Sequence, residues 1–279
     1  MPRLFCFGFG YCAAHLADAL MPEGWAVAGT KRAASDIPAI HVFDGTAPMA
    51  DLSALEGTTH LLLSIPPAGT GDPVLRFHAA DLAALPGLEW IGYLSATSVY
   101  GDSGGGWVDE DSDPNPCAER GLNRLQAEIQ WLDFGAQSGV PVQIFRLAGI
   151  YGPGRSVFDR IRAGRAQRID APDILFSRIH VDDIVRVLRA SIAAPSGGTV
   201  YNLADDEPAV SAEIVEYGYR LLGLVPPPMV ALADAGLGEM GKSFYAESRR
   251  VRNDRIKDVL GVTLKYPNYR AGLRAILNG

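Results

Sequence analysis

Apolar residues along this chain come in short unbroken runs, separated by stretches in which they recur every three or four positions. Residues 4–8, 25–29, 40–43, 60–65, 90–95, 142–147 and 199–203 read as strands, and their lack of polar alternation predicts burial on both faces. Between them, 13–21 (Ala13, Leu16, Ala17, Leu20), 74–85 (Leu75, Ala79, Leu82, Leu85) and 119–134 (Leu122, Leu125, Ile129, Leu132) carry helical stripes. A further helix is expected over 179–189. Continuous apolar strands joined by helices predict a parallel sheet covered on both sides, an α/β fold.

The rhythm breaks after Tyr151-Gly152-Pro153-Gly154. Arginines gather there (Arg155, Arg160, Arg162, Arg165, Arg168), and a proline break follows at 225–228. The pattern divides the chain into a first domain over 1–155 and a smaller C-terminal α/β lobe over 156–279, with 178–204 returning to pack on the first domain.

Composition narrows the function. Across 279 residues, 25 Lys+Arg stand against 32 Asp+Glu, a net charge of −7, which argues against a nucleic-acid groove. Cys6, Cys12 and Cys117 form no CxxC and have no histidine at ligand spacing, so neither a disulfide framework nor a metal site is expected, and a reduced cytoplasmic chain is. The apolar start is too short for a secretion signal, and no run approaches the ~18 residues of a membrane span.

Between the first strand and first helix lies Gly8-Phe9-Gly10-Tyr11-Cys12-Ala13, which fits G-x-G-x-x-G/A. The glycines allow a tight turn and close approach of a pyrophosphate, and the helix N-terminus adds free N–H groups and partial positive charge. In that context the motif points to a dinucleotide and a Rossmann-type doubly wound sheet. At the end of the second strand, where a carboxylate would hold the ribose hydroxyls of NAD, stand Thr30, Lys31 and Arg32. Two cations there suit the 2′-phosphate of NADP. Asp36 lies nearby but past the strand end, so NAD remains the alternative cofactor.

Several phrases, in order, resemble the extended short-chain dehydrogenases/reductases, the NAD-dependent epimerase/dehydratase family. These are Ser95-Ala96-Thr97-Ser98-Val99-Tyr100-Gly101-Asp102, then Arg146 to Gly154 with its Tyr-Gly-Pro-Gly, then His180-Val181-Asp182-Asp183, and Tyr201-Asn202-Leu203. The resemblance spans almost the whole chain. It implies cofactor contacts from Gly8, Phe9, Gly10, Tyr11, Thr30, Lys31, Arg32, Ser64, Pro66, Arg120, Arg124 and Gly149, and a small-molecule substrate in the C-terminal lobe. Members of this family work through a Ser/Thr, a Tyr and a Lys. Here Ala96, Arg120 and Arg124 fall on those positions. The chain's four lysines (Lys31, Lys242, Lys257, Lys265) all lack a tyrosine four residues before them, so Tyr-x-x-x-Lys is absent altogether.

Arginine keeps its proton to about pH 12 and above, so it is no general acid–base at neutral pH; it binds anions. Arg120 and Arg124 share a helix face, as a cleft-facing clamp or as a solvated face with Arg124 pairing Glu128. Thr97 or Ser98 is the candidate replacement for the lost Ser/Thr, and Tyr100 is the nearest substitute for the lost acid. His180 reads as a core or junction residue, Asp182 and Asp183 as helix caps, and 249–252 as a basic helix entry or an anion-binding patch. The expected function is an NADP(H)-binding oxidoreductase or epimerase of non-classical mechanism, acting on a small carbonyl or nucleotide-sugar-like, anionic substrate. The alternative is a non-catalytic dinucleotide-binding redox sensor.

Overall fold

The computed structural model describes residues 1–279, the side chain of Met240 excepted. Seven strands make one sheet: β1 (Arg3–Phe7), β2 (Ala26–Lys31), β3 (Ile40–Val42), β4 (His60–Leu63), β5 (Trp90–Ala96), β6 (Val142–Leu147) and β7 (Thr199–Leu203). Their order is β7-β6-β5-β4-β1-β2-β3, and every neighbouring pair is parallel. The chain starts in the middle of the sheet, winds outward to β3, and then crosses back past β1 to β4. That reversal opens a crevice at the carboxyl ends of β1 and β4, the usual ligand position in such sheets.

The helices are α1 (Tyr11–Leu20), α2 (Pro73–Ala83), α3 (Glu119–Ser138), α4 (Val157–Arg162), α5 (Val181–Ala193), α6 (Ser211–Leu221), α7 (Glu239–Tyr245), α8 (Asp254–Asp258) and α9 (Tyr269–Asn278). Successive strand residues point to opposite faces. Leu4 and Cys6 of β1 therefore join α1 and α5 in one core, while Phe5 and Phe7 join α2 and α3 in the other. Both faces are buried, which is why the strands read as unbroken apolar runs. A separate core made by α4, α6 and α9 holds Val157, Phe158, Ile214 and Leu273. No helix among the described residues is long and apolar enough to cross a membrane.

Five local expectations are corrected. The buried face of α3 is Gly121, Ala127, Glu128 and Trp131, whereas Leu122 and Ile129 of the expected stripe are 50% and 52% exposed. Close approach selects this face: a Cβ on Gly121 would lie 2.7 Å from the Ser98 carbonyl oxygen. Glu128 is buried because it pairs with Arg146 of β6 at 2.8 Å and accepts a hydrogen bond from Ser95 Oγ at 2.5 Å. It does not pair with Arg124.

The helix expected from 179 begins at Val181, and the preceding Arg178–His180 is a short strand parallel to Gly149–Tyr151. His180 caps α5, its Nδ1 accepting the Asp182 N–H at 3.1 Å. Asp182 and Asp183 do not cap the helix; they clasp the chain near the C-terminus. Asp183 accepts the backbone N–H groups of Lys265 and Tyr266 at 2.6 and 3.0 Å, and Asp182 accepts Lys265 Nζ at 2.9 Å. Finally, Arg250–Val251 is a strand parallel to Trp107–Val108, not a helix entry.

Candidate functional site

The glycine turn is pinned from behind by its neighbouring strands. Gly8 has φ +91°, and a Cβ there would fall 2.7 Å from Ser64 Oγ, so only glycine fits. Ser64 Oγ donates to the Gly8 carbonyl at 2.5 Å. Thr30, fully buried, accepts the Gly8 N–H on its hydroxyl at 3.0 Å and the Phe9 N–H on its carbonyl at 2.6 Å. Thr30 and Ser64 thus shape the turn. No side chain caps α1, and a Cβ on Gly10 would meet nothing within 4 Å. The space over the turn is open, and the unpaired first-turn N–H groups fit a phosphate.

Lys31 closes β2 and Arg32 follows it, exposed; neither side chain has a hydrogen bond or ion pair with any described residue. Pro66 is exposed just beyond Ser64. Tyr11 reaches away from the turn: its hydroxyl donates to the Pro153 carbonyl at 2.9 Å. A Cβ on Gly152 would sit 2.5 Å from that hydroxyl, and the Arg155 guanidinium lies 5.5 Å from the Tyr11 ring centre. Burial pushes the Tyr11 phenol up to about 12, so it serves as a staple between two loops and not as an acid.

Beyond β5 the chain makes a tight turn over Thr97–Tyr100. Thr97 faces a cavity. Ser98 is buried, with its carbonyl against Gly121. Tyr100 is buried and donates to Asn202 Oδ1 at 2.8 Å, with Arg146 4.8 Å from its ring centre; burial raises its pKa further. That hydroxyl is directed into the protein. Ala96 ends β5 and offers only a methyl group. Arg124 Nη1 donates to the Leu94 carbonyl at 2.5 Å, which ties α3 to the sheet. Arg120 differs: its Nε and Nη2 are buried without a hydrogen-bond partner, and its guanidinium lies 4.1 Å from the Phe244 ring centre. Buried unpaired donors on a cation are costly, so they mark a place where an anion or carbonyl oxygen would be welcome.

A cavity of about 680 Å³ continues from there. Thr97 and Gly149 line its sheet end, Phe244 and Tyr245 of α7 one wall, and Arg155, Arg160, Arg165, Arg178 and Arg249 much of the rest. Arg155 touches the cavity and the glycine turn alike through Tyr11, and Phe244 touches the cavity and Arg120. Arg178 donates to the carbonyls of Phe176 and Ala209 at 2.8 and 3.1 Å; burial lowers it to about 10, still protonated at neutral pH. Arg249 is held by the Gly101 carbonyl and Glu247, each at 2.7 Å.

Sequence reasoning did not assign roles to Arg155 or Arg178; Phe244 and Tyr245, read as pocket-lining or core residues of the C-terminal lobe together with Tyr217 and Tyr219, do line the cavity. The one available signal was the run of arginines from 155 to 168 with few acids among them.

No family model matches the chain. In structure, its architecture is that of the NAD-dependent epimerases and dehydratases. MoeE5, solved with UDP-glucuronic acid and NAD, superposes over 100% of this chain and 98% of its own with a TM-score of 0.79 at 23% identity. A functionally unknown conserved protein from Silicibacter pomeroyi DSS superposes with a TM-score of 0.89 at 45% identity, covering 100% and 99% of the two chains. In sequence, protein YeeZ of Escherichia coli K12 is 30% identical over 96% of this chain and 97% of its own. A 3-diazoavenalumate denitrifying reductase from Streptomyces is 30% identical over 70% of this chain and 67% of its own. This chain belongs to the same family as YeeZ.

Proposed function

We propose that this protein is an NADP(H)-dependent oxidoreductase acting on a small carbonyl or nucleotide-sugar-like substrate without the usual Tyr/Lys acid–base pair. The observation that carries the reading is the open glycine turn, followed at the end of β2 by two cations that no protein group engages. Complexes of MoeE5 and other structural neighbours with NAD support a nicotinamide dinucleotide, and the Streptomyces relative is a reductase. NADP in place of NAD rests on Lys31 and Arg32 alone. In this reading residues 1–155 bind the dinucleotide, residues 156–279 take the substrate, and the protein works in the cytoplasm.

The turn Gly8-Phe9-Gly10 and the start of α1 hold the diphosphate, and Lys31 and Arg32 the 2′-phosphate. When bound, the nicotinamide supplies or accepts a hydride. The chain's own residues orient the substrate and handle charge. Arg120, permanently protonated, holds negative charge on a substrate oxygen by electrostatics, and Thr97 offers a hydroxyl on the cavity wall. Tyr100 is turned away and arginine is no general acid–base, so the proton passes to or from water, directly or over the Thr97 hydroxyl. The missing acid–base pair also favours a second reading, a dinucleotide-binding redox sensor that catalyses nothing.

The two are separated by incubating the protein with NADPH and a panel of carbonyl compounds and nucleotide sugars while following nicotinamide absorbance. Oxidation dependent on one substrate class supports the oxidoreductase. Tight NADPH binding with no oxidation across the panel leaves the sensor.

A further inference from the structure

In a chain of net charge −7, the walls of the 680 Å³ cavity bring together five arginines and only two carboxylates, Asp159 and Glu247. Both acids are engaged: Asp159 accepts the Ser156 N–H and hydroxyl at 2.7 and 2.8 Å, and Glu247 pairs with Arg249. Arg178 and Arg249 are held by carbonyls and Glu247. The side chains of Arg155, Arg160 and Arg165 have neither hydrogen bond nor ion pair with any described residue. Arg155 lies toward the glycine turn; Arg160 and Arg165, on and just after α4, line the cavity with Gln167 and Ile169. Three exposed guanidinium groups without a protein partner around one concave site are an electrostatic receptor for an anion.

The rest of the wall restricts what the anion is attached to. Ile169, Leu175, Phe176, Ile214, Leu237 and Phe244 are apolar. Of the uncharged polar groups, Ser156 caps α4 and the Ser177 hydroxyl accepts the Val251 N–H at 3.1 Å. The Tyr151 hydroxyl donates to the Asn268 carbonyl at 3.4 Å, which leaves Thr97, Gln167, Ser211 and the phenols of Tyr245 and Tyr269 to satisfy a ligand. A sugar or ribose laid against the aliphatic and aromatic part of this wall would bury hydroxyls on carbon, whereas an apolar body loses nothing there.

We infer that this cavity binds an amphipathic carboxylic acid, its carboxylate on Arg160 and Arg165 and its apolar body against Phe244 and the aliphatic wall. The inference rests on reading the cavity as the substrate site and narrows the substrate class to apolar acids bearing the reducible group.

The test is calorimetric titration of the full-length protein, without cofactor, using naphthalene-2-carboxylate, naphthalene-2-carboxamide and UDP-glucuronic acid as probes. The carboxylate should bind at least tenfold more tightly than the isosteric amide. Its binding should weaken as salt is raised, and Arg160→Gln with Arg165→Gln should abolish the preference for acid over amide. NADPH binding to the same double variant should be unchanged, which verifies its fold and keeps failure here distinct from failure of the cofactor reading. Equal binding of acid and amide, absence of binding by either, tighter binding of UDP-glucuronic acid, or an acid preference that survives the double substitution would each overturn the proposal.

Discussion

At the scale of single residues, Arg120 and Arg32 carry the functional argument, and both are defined by a missing partner. Arg120 holds two buried donors that nothing in the protein satisfies. Arg120→Ala removes the cation without disturbing a hydrogen bond, so thermal stability should stay close to wild type. With a turned-over substrate, kcat/KM should fall about 100-fold, the range expected for losing one preorganised anion-stabilising group. Rates unchanged within twofold would make Arg120 a wall residue. Arg32 is exposed and free. Arg32→Asp should weaken NADPH about tenfold or more while sparing NADH, since a charge-assisted contact to phosphate contributes about 1.5–3 kcal/mol. A fluorescence titration with both nucleotides checks this, and an unaltered ratio would remove Arg32 from the site.

At the scale of elements, α3 displays what a pattern of residue types reveals and what it hides. The helix itself was legible, as were the seven strands, because burial on both sheet faces writes itself as apolar runs. The glycine turn was legible too, because its spacing is set by backbone geometry. The face that α3 buries was not. Leu122 and Ile129 outrank Gly121 and Glu128 in hydrophobicity, yet steric fit of Gly121 on Ser98 and the Glu128–Arg146 pair decide the orientation, and both depend on residues distant in sequence. The arrangement of the cavity wall stayed hidden for the same reason, since it joins residues as distant in sequence as Thr97, Arg160 and Phe244. The corrected orientation predicts opposite consequences for two substitutions. Glu128→Gln leaves Arg146 buried beside a neutral partner and should cost about 3 kcal/mol in urea unfolding. Leu122→Gln, on the exposed side, should cost about 0.5 kcal/mol or less. The reverse ranking would restore the apolar stripe as the buried face.

At the scale of the molecule, the sheet and the C-terminal elements are joined by a clasp with a built-in acid limit. Burial holds His180 down at about 4 against an ordinary 6.5, with Tyr266 and Tyr151 rings 4.2 and 5.1 Å away. Between those values the unfolded chain takes up a proton that the folded chain refuses. Stability is therefore complete above about pH 6.5 and declines by about 3 kcal/mol as pH falls to 4. Asp182, held below its ordinary 3.8 by Lys265, titrates beneath that window. Unfolding midpoints across pH 4 to 7 should show the decline, and His180→Asn should flatten it; equal slopes in both proteins would place the acid sensitivity elsewhere. The larger organisation is a crevice at the sheet's reversal and a separate arginine-lined chamber, with Arg155 of the chamber wall packed on Tyr11 at the start of α1. Everything in that organisation depends on the crevice receiving a nicotinamide dinucleotide, with preference decided at the end of β2. Titrating the purified protein with NADPH and NADH by calorimetry measures this directly. The account predicts saturable binding of both with NADPH at least tenfold tighter; heat from neither, or tighter binding of NADH, would contradict it.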